Sequence, residues 1–303
     1  MRRKMADSRI LITGASQGIG RALAEEAAHR GAKVLAAARS SAMLKELQEQ
    51  ARSAGGTLEI VQADVTSRDD RLRMVQAAQD HFGGLDILVN NAGIGATGHF
   101  AEAGPDRLRT IFEVNFFGLT ETTRVFLPLL KQGNRPAIVN ISSVAGKRGI
   151  PARSEYSASK FAVEGFSEAL RPELAKDGID LIVVCPGLTQ TNFSKNMIEQ
   201  KAVLQFDHLR GMTSEQVALA TIKAIERGSR QVVLSFQGKL LALVSRFLPR
   251  VADRVAARKV RNLFKDEIAA REARRAEQKS GEPKATSEER GAKSEDRKAP
   301  TPG

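Results

Sequence analysis

Tyr156 is the only tyrosine in this chain, and Lys160 follows it by four residues in a stretch of helical period, a pairing that can move a proton. Side chains four apart on a helix share one face. A phenol with its ordinary pKa of about 10 is a poor acid or base at neutral pH. A neighbouring ammonium favours the phenolate and eases proton exchange. Taken alone, the same pair is also common decoration of a helix surface. Ser143 follows the apolar run Ile138-Val139-Asn140-Ile141-Ser142, at the C-terminal end of a predicted strand. Ligands of open parallel sheets collect at such ends, where a hydroxyl can donate to an oxygen that gains charge. Ser142 is adjacent, and position alone does not choose between the two.

A second constellation lies near the N-terminus, where a predicted strand runs into Thr13-Gly14-Ala15-Ser16-Gln17-Gly18-Ile19-Gly20. Glycines allow a tight turn and a close backbone approach to a diphosphate, and the following helix presents unpaired amides at its positive end. The spacing differs from Gly-x-Gly-x-x-Gly, so by itself the turn also fits a purely structural β-to-α connection. Other chemistries lack support. No Gly-x-Ser-x-Gly turn is present for serine hydrolysis, and His29, His81, His99 and His208 are scattered without the spacing of metal ligands. Cys185 is the single cysteine, which excludes an intrachain disulfide and reads as a small buried residue.

These residues need elements to hold them. Apolar runs predict strands over Arg9–Thr13, Lys33–Ala37, Thr57–Gln62, Leu85–Asn90, Ala137–Ser142, Asp180–Cys185 and Gln231–Leu234. Several are continuous rather than alternating, as in strands covered on both faces. Helical periods lie between them, near Gly20–Arg30, Ala42–Ala54, Arg68–Phe82, Pro105–Lys131, Tyr156–Ala175 and Ser214–Arg227. The alternation predicts an α/β fold: a Rossmann-type doubly wound parallel sheet flanked by helices, with a C-terminal helical extension. Gly31 and Gly178 stand where helix ends favour a left-handed residue. The segment 191–211 reads as a short helical lid over a cleft, with Phe193, Met197, Ile198, Leu204 and Phe206 as its apolar residues.

Taken in order, these motifs resemble the classical short-chain dehydrogenase/reductase family over roughly residues 8–235. The glycine string has that family's Thr-Gly-x-x-x-Gly-x-Gly form. Asp64-Val65 resembles its adenine-contacting pair, and Asn90-Asn91-Ala92-Gly93 its Asn-Asn-Ala-Gly element beside the cofactor. Asn115 falls at its active-site asparagine, while Ser143, Tyr156 and Lys160 match its catalytic serine and Tyr-x-x-x-Lys motif. Pro186-Gly187 with Thr189 and Thr191 resembles its segment near the nicotinamide. The resemblance implies reversible reduction of a carbonyl, with Tyr156 as acid/base and Ser143 holding the substrate oxygen. It implies that Lys160 activates the phenol and binds the nicotinamide ribose. It implies that Asn115 anchors a water in a proton relay, although a buried amide tying a helix to backbone would look the same. It also implies a homo-oligomer. An epimerase or dehydratase of the same fold, or a cofactor-sensing or scaffold protein with little turnover, stands as the alternative.

The second strand ends in Ala38-Arg39-Ser40. NAD sites place a carboxylate there for the ribose hydroxyls, whereas a 2′-phosphate favours arginine. NADP(H) is therefore the expected cofactor, with NAD(H) still admissible because Gln17 occupies a position that is often basic in NADP(H)-preferring relatives.

The formal net charge is +12. Residues 246–265 hold seven Lys or Arg against one Asp, with Arg246, Arg250, Arg254 and Arg258 recurring every four residues beside Leu240, Leu243, Phe247, Val251 and Val255. A basic amphipathic helix of this kind lies on an anionic membrane surface, or packs its apolar side against protein. No nucleic-acid-binding module is recognisable. The division expected is a catalytic domain over 1–237, a basic extension over 238–270 and a charged, disordered tail over 271–303. That tail has no Val, Ile, Leu or aromatic residue to offset ordering entropy. With no secretory leader and no long apolar run, the expected location is the cytoplasm, at most peripheral to a membrane.

Overall fold

The computed structural model describes residues 3–191, 193, 197–200 and 211–280. The strands are β1 (Arg9–Thr13), β2 (Lys33–Ala38), β3 (Thr57–Gln62), β4 (Ile87–Asn90), β5 (Ala137–Ile141), β6 (Asp180–Cys185), β7 (Thr189–Gln190), β8 (Met212–Thr213) and β9 (Gln231–Val233). Seven of them form one sheet in the order β3-β2-β1-β4-β5-β6-β9, and every pairing is parallel. The chain winds outward from β1 to β3, then crosses back to β4 on the other side of β1. That reversal opens a crevice at the C-terminal ends of β1 and β4, where such sheets bind ligands.

The helices are α1 (Gly18–His29), α2 (Ser41–Ser53), α3 (Arg68–Phe82), α4 (Pro105–Phe112), α5 (Leu119–Lys131), α6 (Ser154–Ala175), α7 (Ser214–Arg227), α8 (Phe236–Phe247), α9 (Pro249–Leu263) and α10 (Lys265–Ser280). Alternate strand residues feed two cores. Ile10, Ile12, Val34 and Ala36 join Ala24 of α1, Leu44 of α2 and Ile222 of α7. Leu11, Leu35, Leu88 and Ile138 join Met74 of α3, Phe126 of α5 and Leu174 of α6. Burial on both faces is why these strands read as unbroken apolar runs.

The continuous helix expected over Pro105–Lys131 is instead interrupted. Between α4 and α5, Glu113–Gly118 forms a π-helical turn. This wider turn lets two contacts form at once. Asn115 is fully buried and bonds the backbone of Ile94, while a Cβ at Gly118 would come within 2.8 Å of Val65 Cγ2. Such turns concentrate at functional sites.

Two compact units emerge, Met1–Arg254 and Val255–Gly303. The first holds the whole sheet, and α8, read from sequence as the start of an extension, belongs to it. In the second, the described residues are helical, from the later part of α9 through α10. The part of the charged tail beyond residue 280 lies outside the described residues, as do Leu204 and Phe206. Where the lid was expected to be helical, residues 197–200 instead run alongside 95–97. Ile198 N–H donates to the Gly95 carbonyl, Thr97 N–H donates to that of Glu199, and Thr97 and Gln200 form a parallel bridge.

Candidate active site

The glycine turn is built by backbone demands. Gly14 has φ +66°, and a Cβ there would meet Ala92 Cα at 2.8 Å. Gly20 sits so close to the Gly14 carbonyl that a Cβ would clash with its oxygen. Thr13 is buried, and its Oγ1 accepts from the N–H groups of Asn91 (3.0 Å) and Ala92 (3.1 Å). The Asn91 side-chain amide donates to the carbonyls of Thr13 and Gly14 at 2.9 and 3.1 Å. Thr13 and Gly20, expected as cofactor contacts, therefore shape the turn from behind and do not line the cavity. Below the same strand ends, Asn90 donates to Thr123 Oγ1 and Asn140 Oδ1, and Asn140 donates to Ser167 Oγ, all within 3.0 Å. This buried chain locks the ends of β4 and β5 in register. Sequence reasoning missed it, although polar Asn90 and Asn140 inside apolar strand runs signal it.

A cavity of about 530 Å³ occupies the crevice. Of the expected cofactor residues, Gly14, Ser16, Gln17, Gly18, Ile19, Arg39, Ser40, Asp64, Val65, Asn91, Ala92, Gly93, Pro186, Gly187, Thr189 and Thr191 all line it, together with Ser143, Tyr156 and Lys160. The donor set suits a dinucleotide. No side chain caps α1 and no acidic residue stands in its first turn, and Gly18 and Ile19 at its start line the cavity. Ser40, Ser67, Thr213 and Ser235 cap α2, α3, α7 and α8, while α4 and α6, like α1, lack a side-chain cap. Exposed amides at a positive helix end fit an anion. At the end of β2, Ala38 is buried and Arg39 is exposed. Asp64 accepts from Thr66 N–H (2.9 Å) and Thr66 Oγ1 (2.8 Å), which orients the loop after β3.

At the other end of the cavity, Ser143 caps a 3-10 turn over Val144–Gly146, with its Oγ accepting from Ala145 N–H at 3.1 Å. It is half-buried, whereas Ser142 is buried. Tyr156 stands in the first turn of α6, partly exposed, with its ring 5.7 Å from that of Phe193. Burial pushes its phenol above the ordinary range, and a hydrogen bond with Ser143 and the charge of Arg153 pull it back. Lys160 is buried, and burial lowers its ammonium to about 8, with Glu164 opposing that fall. Its Nζ lies 5.8 Å from the Tyr156 ring centroid and donates to the Ile141 carbonyl at 2.9 Å. Arg153 was missed, and its signal was a cation three residues before the tyrosine at the start of a helix.

Asn115 does not line the cavity. Its Oδ1 accepts from Ile94 N–H (2.8 Å), and its Nδ2 donates to the Ile94 carbonyl (2.9 Å) and Ser159 Oγ (3.0 Å). Its amide therefore ties the π turn to the loop after β4, behind Gly93 and Lys160. Another buried anchor fixes the start of α6: Arg107 of α4 donates to Glu155 Oε1 at 2.6 Å and to Glu199 Oε2 at 2.7 Å. Glu155 immediately precedes Tyr156. The remaining cavity wall is largely apolar, from Ile94, Val114, Ile150, Leu188, Phe193 and Leu241. Two hydroxyls and an ammonium around one apolar space can hold a substrate oxygen and deliver a proton to it. Among the described residues, no cluster of His, Cys, Asp or Glu could hold a metal ion.

Comparison with known proteins agrees with this arrangement. The chain is 34% identical over 258 residues to the uncharacterized oxidoreductase YxnA of Bacillus subtilis, covering 84% of this chain and 72% of that one. It is 34% identical over 254 residues to the ketoacyl reductase HetN of Nostoc sp., covering 81% and 87%. A short chain dehydrogenase/reductase from Burkholderia phymatum, solved with NAD, superposes with a TM-score of 0.74 at 27% identity, over 80% of this chain and 94% of that one. A short chain dehydrogenase from Burkholderia cenocepacia, solved with NADP, gives 0.72 at 27% identity, over 84% and 99%. The family model for short chain dehydrogenase matches residues 8–202, and the chain belongs to that family.

Proposed function

We propose that the protein is an NADP(H)-dependent oxidoreductase that interconverts a carbonyl and a primary or secondary alcohol on an apolar, lipid-like substrate. The observation that carries this reading is the meeting of Tyr156, Ser143 and Lys160 with the uncapped start of α1 in one cavity. Family relatives solved with NAD and with NADP, and one named a ketoacyl reductase, support the class.

Nicotinamide, when bound, supplies or accepts the hydride. The turn Gly14–Gly18 and the first amides of α1 take the diphosphate. Arg39 binds the 2′-phosphate, and the Ser40 hydroxyl, whose oxygen caps α2, keeps its own proton to donate there. Asp64 and Val65 take the adenine end, while Asn91, Ala92, Gly93, Pro186, Gly187, Thr189 and Thr191 enclose the nicotinamide end. Lys160 holds the ribose hydroxyls. Tyr156 gives its hydroxyl proton to the substrate oxygen in reduction and recovers it in oxidation, and Ser143 donates to the same oxygen as charge develops. Asn115 fixes the backbone behind Lys160.

The apolar wall favours a bulky apolar substrate. Exposed Leu108, Phe117 and Phe161 supply a surface for a second copy of the chain. On α8 and its continuation, Phe236 (79% exposed), Leu243 (57%) and Phe247 (69%) are bare beside Arg246 and Arg250, which supports peripheral contact with an anionic membrane. No helix among the described residues is long and apolar enough to cross one. The test is an NADPH-oxidation screen over small ketones, steroids, retinals, fatty aldehydes and 3-ketoacyl compounds. Turnover of an apolar carbonyl is expected. NADPH binding without turnover of any compound would point instead to a cofactor-sensing protein.

A further inference from the structure

Behind Lys160, and outside the cavity lining, a carboxylate is held by three separate elements. Glu164 follows Lys160 by one helical turn on α6, and its side chain is only 11% exposed. Its Oε2 accepts from Lys147 Nζ at 2.7 Å and from Gln231 Nε2 at 2.7 Å, and its Oε1 accepts from Cys185 Sγ–H at 3.1 Å. Lys147 ends the turn that begins at Ser143, Cys185 ends β6 just before Pro186, and Gln231 begins β9. A nearly buried carboxylate costs free energy unless its charge is used. Lys147, itself 22% exposed, uses only part of it.

Lys160 needs the remainder. Its surroundings are Tyr156 on the same helix, the neutral amide of Asn115, the backbone of Gly93 and Ile141, and the Cys185 thiol. Burial and the adjacent Glu164 push that thiol upward, so it stays neutral. Arg153 acts on Tyr156. Glu164 is thus the carboxylate that works in favour of the Lys160 charge, while burial works against it.

Given the role proposed above for Lys160, we propose that Glu164 is a positioning residue of the site, whose clamped carboxylate keeps Lys160 an ammonium through the working pH range. Lys147 competes for the same carboxylate. Removing Glu164 therefore weakens the Lys160 charge, and removing Lys147 strengthens it. A purely structural cluster would respond in the same direction to both losses.

The test uses the full chain, its best substrate from the carbonyl screen, and kcat/KM profiles from about pH 6 to about pH 10. In Glu164→Gln the alkaline limb is expected about one pH unit lower, so that activity at about pH 8 falls roughly fivefold while that at about pH 6 stays within roughly twofold. In Lys147→Met the limb moves upward. Equal loss at every pH in Glu164→Gln, or displacement of both limbs in one direction, overturns the proposal. NADPH binding followed by fluorescence over the same range gives a second readout that needs no turnover. It also reports whether either variant is folded. A wild-type profile with no alkaline limb would refute the role of Lys160 itself, whereas a wild-type limb that Glu164→Gln leaves in place refutes only Glu164.

Discussion

The ammonium of Lys160 lies over the Tyr156 ring, 5.8 Å from its centroid, while donating to the Ile141 carbonyl. Ser143 and Arg153 are the groups that lower the phenol. Proton transfer and cofactor holding are therefore separable. In Tyr156→Phe, NADPH binding should persist while turnover drops by about 10³-fold, within the usual worth of a positioned acid or base. Fluorescence titration and steady-state rates measure the two effects, and near-normal turnover would remove Tyr156 as the proton donor.

Cofactor choice should follow the charge at the end of β2. Arg39→Ala is expected to lower kcat/KM with NADPH by about 10- to 100-fold, the scale of one hydrogen bond to a charged group, and to leave NADH nearly unaffected. Ala38→Asp should push in the same direction by repelling the 2′-phosphate. A wild-type preference for NADH would reject the assignment.

Arg107 and Glu155 form a pair whose side chains are 5% and 4% exposed. Arg107→Met leaves Glu155 buried without its cation, which should cost about 3–5 kcal/mol at neutral pH. In the wild type the Glu155 carboxyl is held below its ordinary range, where the hydrogen bonds of Ser154 and Arg107 outweigh burial. Its contribution is therefore present above the ordinary carboxylate pKa and is lost as pH falls through the lowered one. In the variant, burial without the cation raises the carboxyl, so the penalty should be largest near neutrality and shrink toward acid. Melting temperatures across pH would reveal this, and a pH-independent deficit would contradict it.

The apolar outer face of α8 carries a further expectation. Truncation before this helix would remove Gly238 and Leu241, which line the cavity, so substitution is the cleaner probe. Replacing Phe236, Leu240, Leu243 and Phe247 with Gln should abolish co-sedimentation with anionic vesicles and leave turnover of a water-soluble carbonyl unchanged. Equal pelleting of both proteins would dismiss the membrane contact.

Most strands were legible because burial on both faces writes itself as unbroken apolar runs, and Arg9–Thr13 and Asp180–Cys185 fall where they were expected, as does Thr57–Gln62, a half-buried strand at the sheet edge. The motif residues were legible because backbone geometry admits few alternatives at Gly14 or Gly20. The π turn around Asn115 was not, since its residues keep a helical composition and only the contacts of Asn115 and Gly118 widen it. Thr13 could not be separated from the cavity-lining residues by sequence, because a hydroxyl that ties two strands looks the same as one that binds a ligand. Arg153 is local to Tyr156 and was readable from spacing, whereas Lys147, Cys185 and Gln231 are brought to Glu164 by tertiary packing of separate elements, which one-dimensional spacing does not encode.

On the proposed function, the bare leading turn of α1 would tie the protein's endurance to its cargo. Where α2, α3, α7 and α8 complete themselves with a serine or threonine, α1 has no side-chain cap, and under the proposed function the diphosphate of the cofactor would complete it. Each tenfold excess of dinucleotide over its Kd adds about 1.4 kcal/mol to the folded form. Nucleotide supply would then set this chain's lifetime against proteases as well as its turnover.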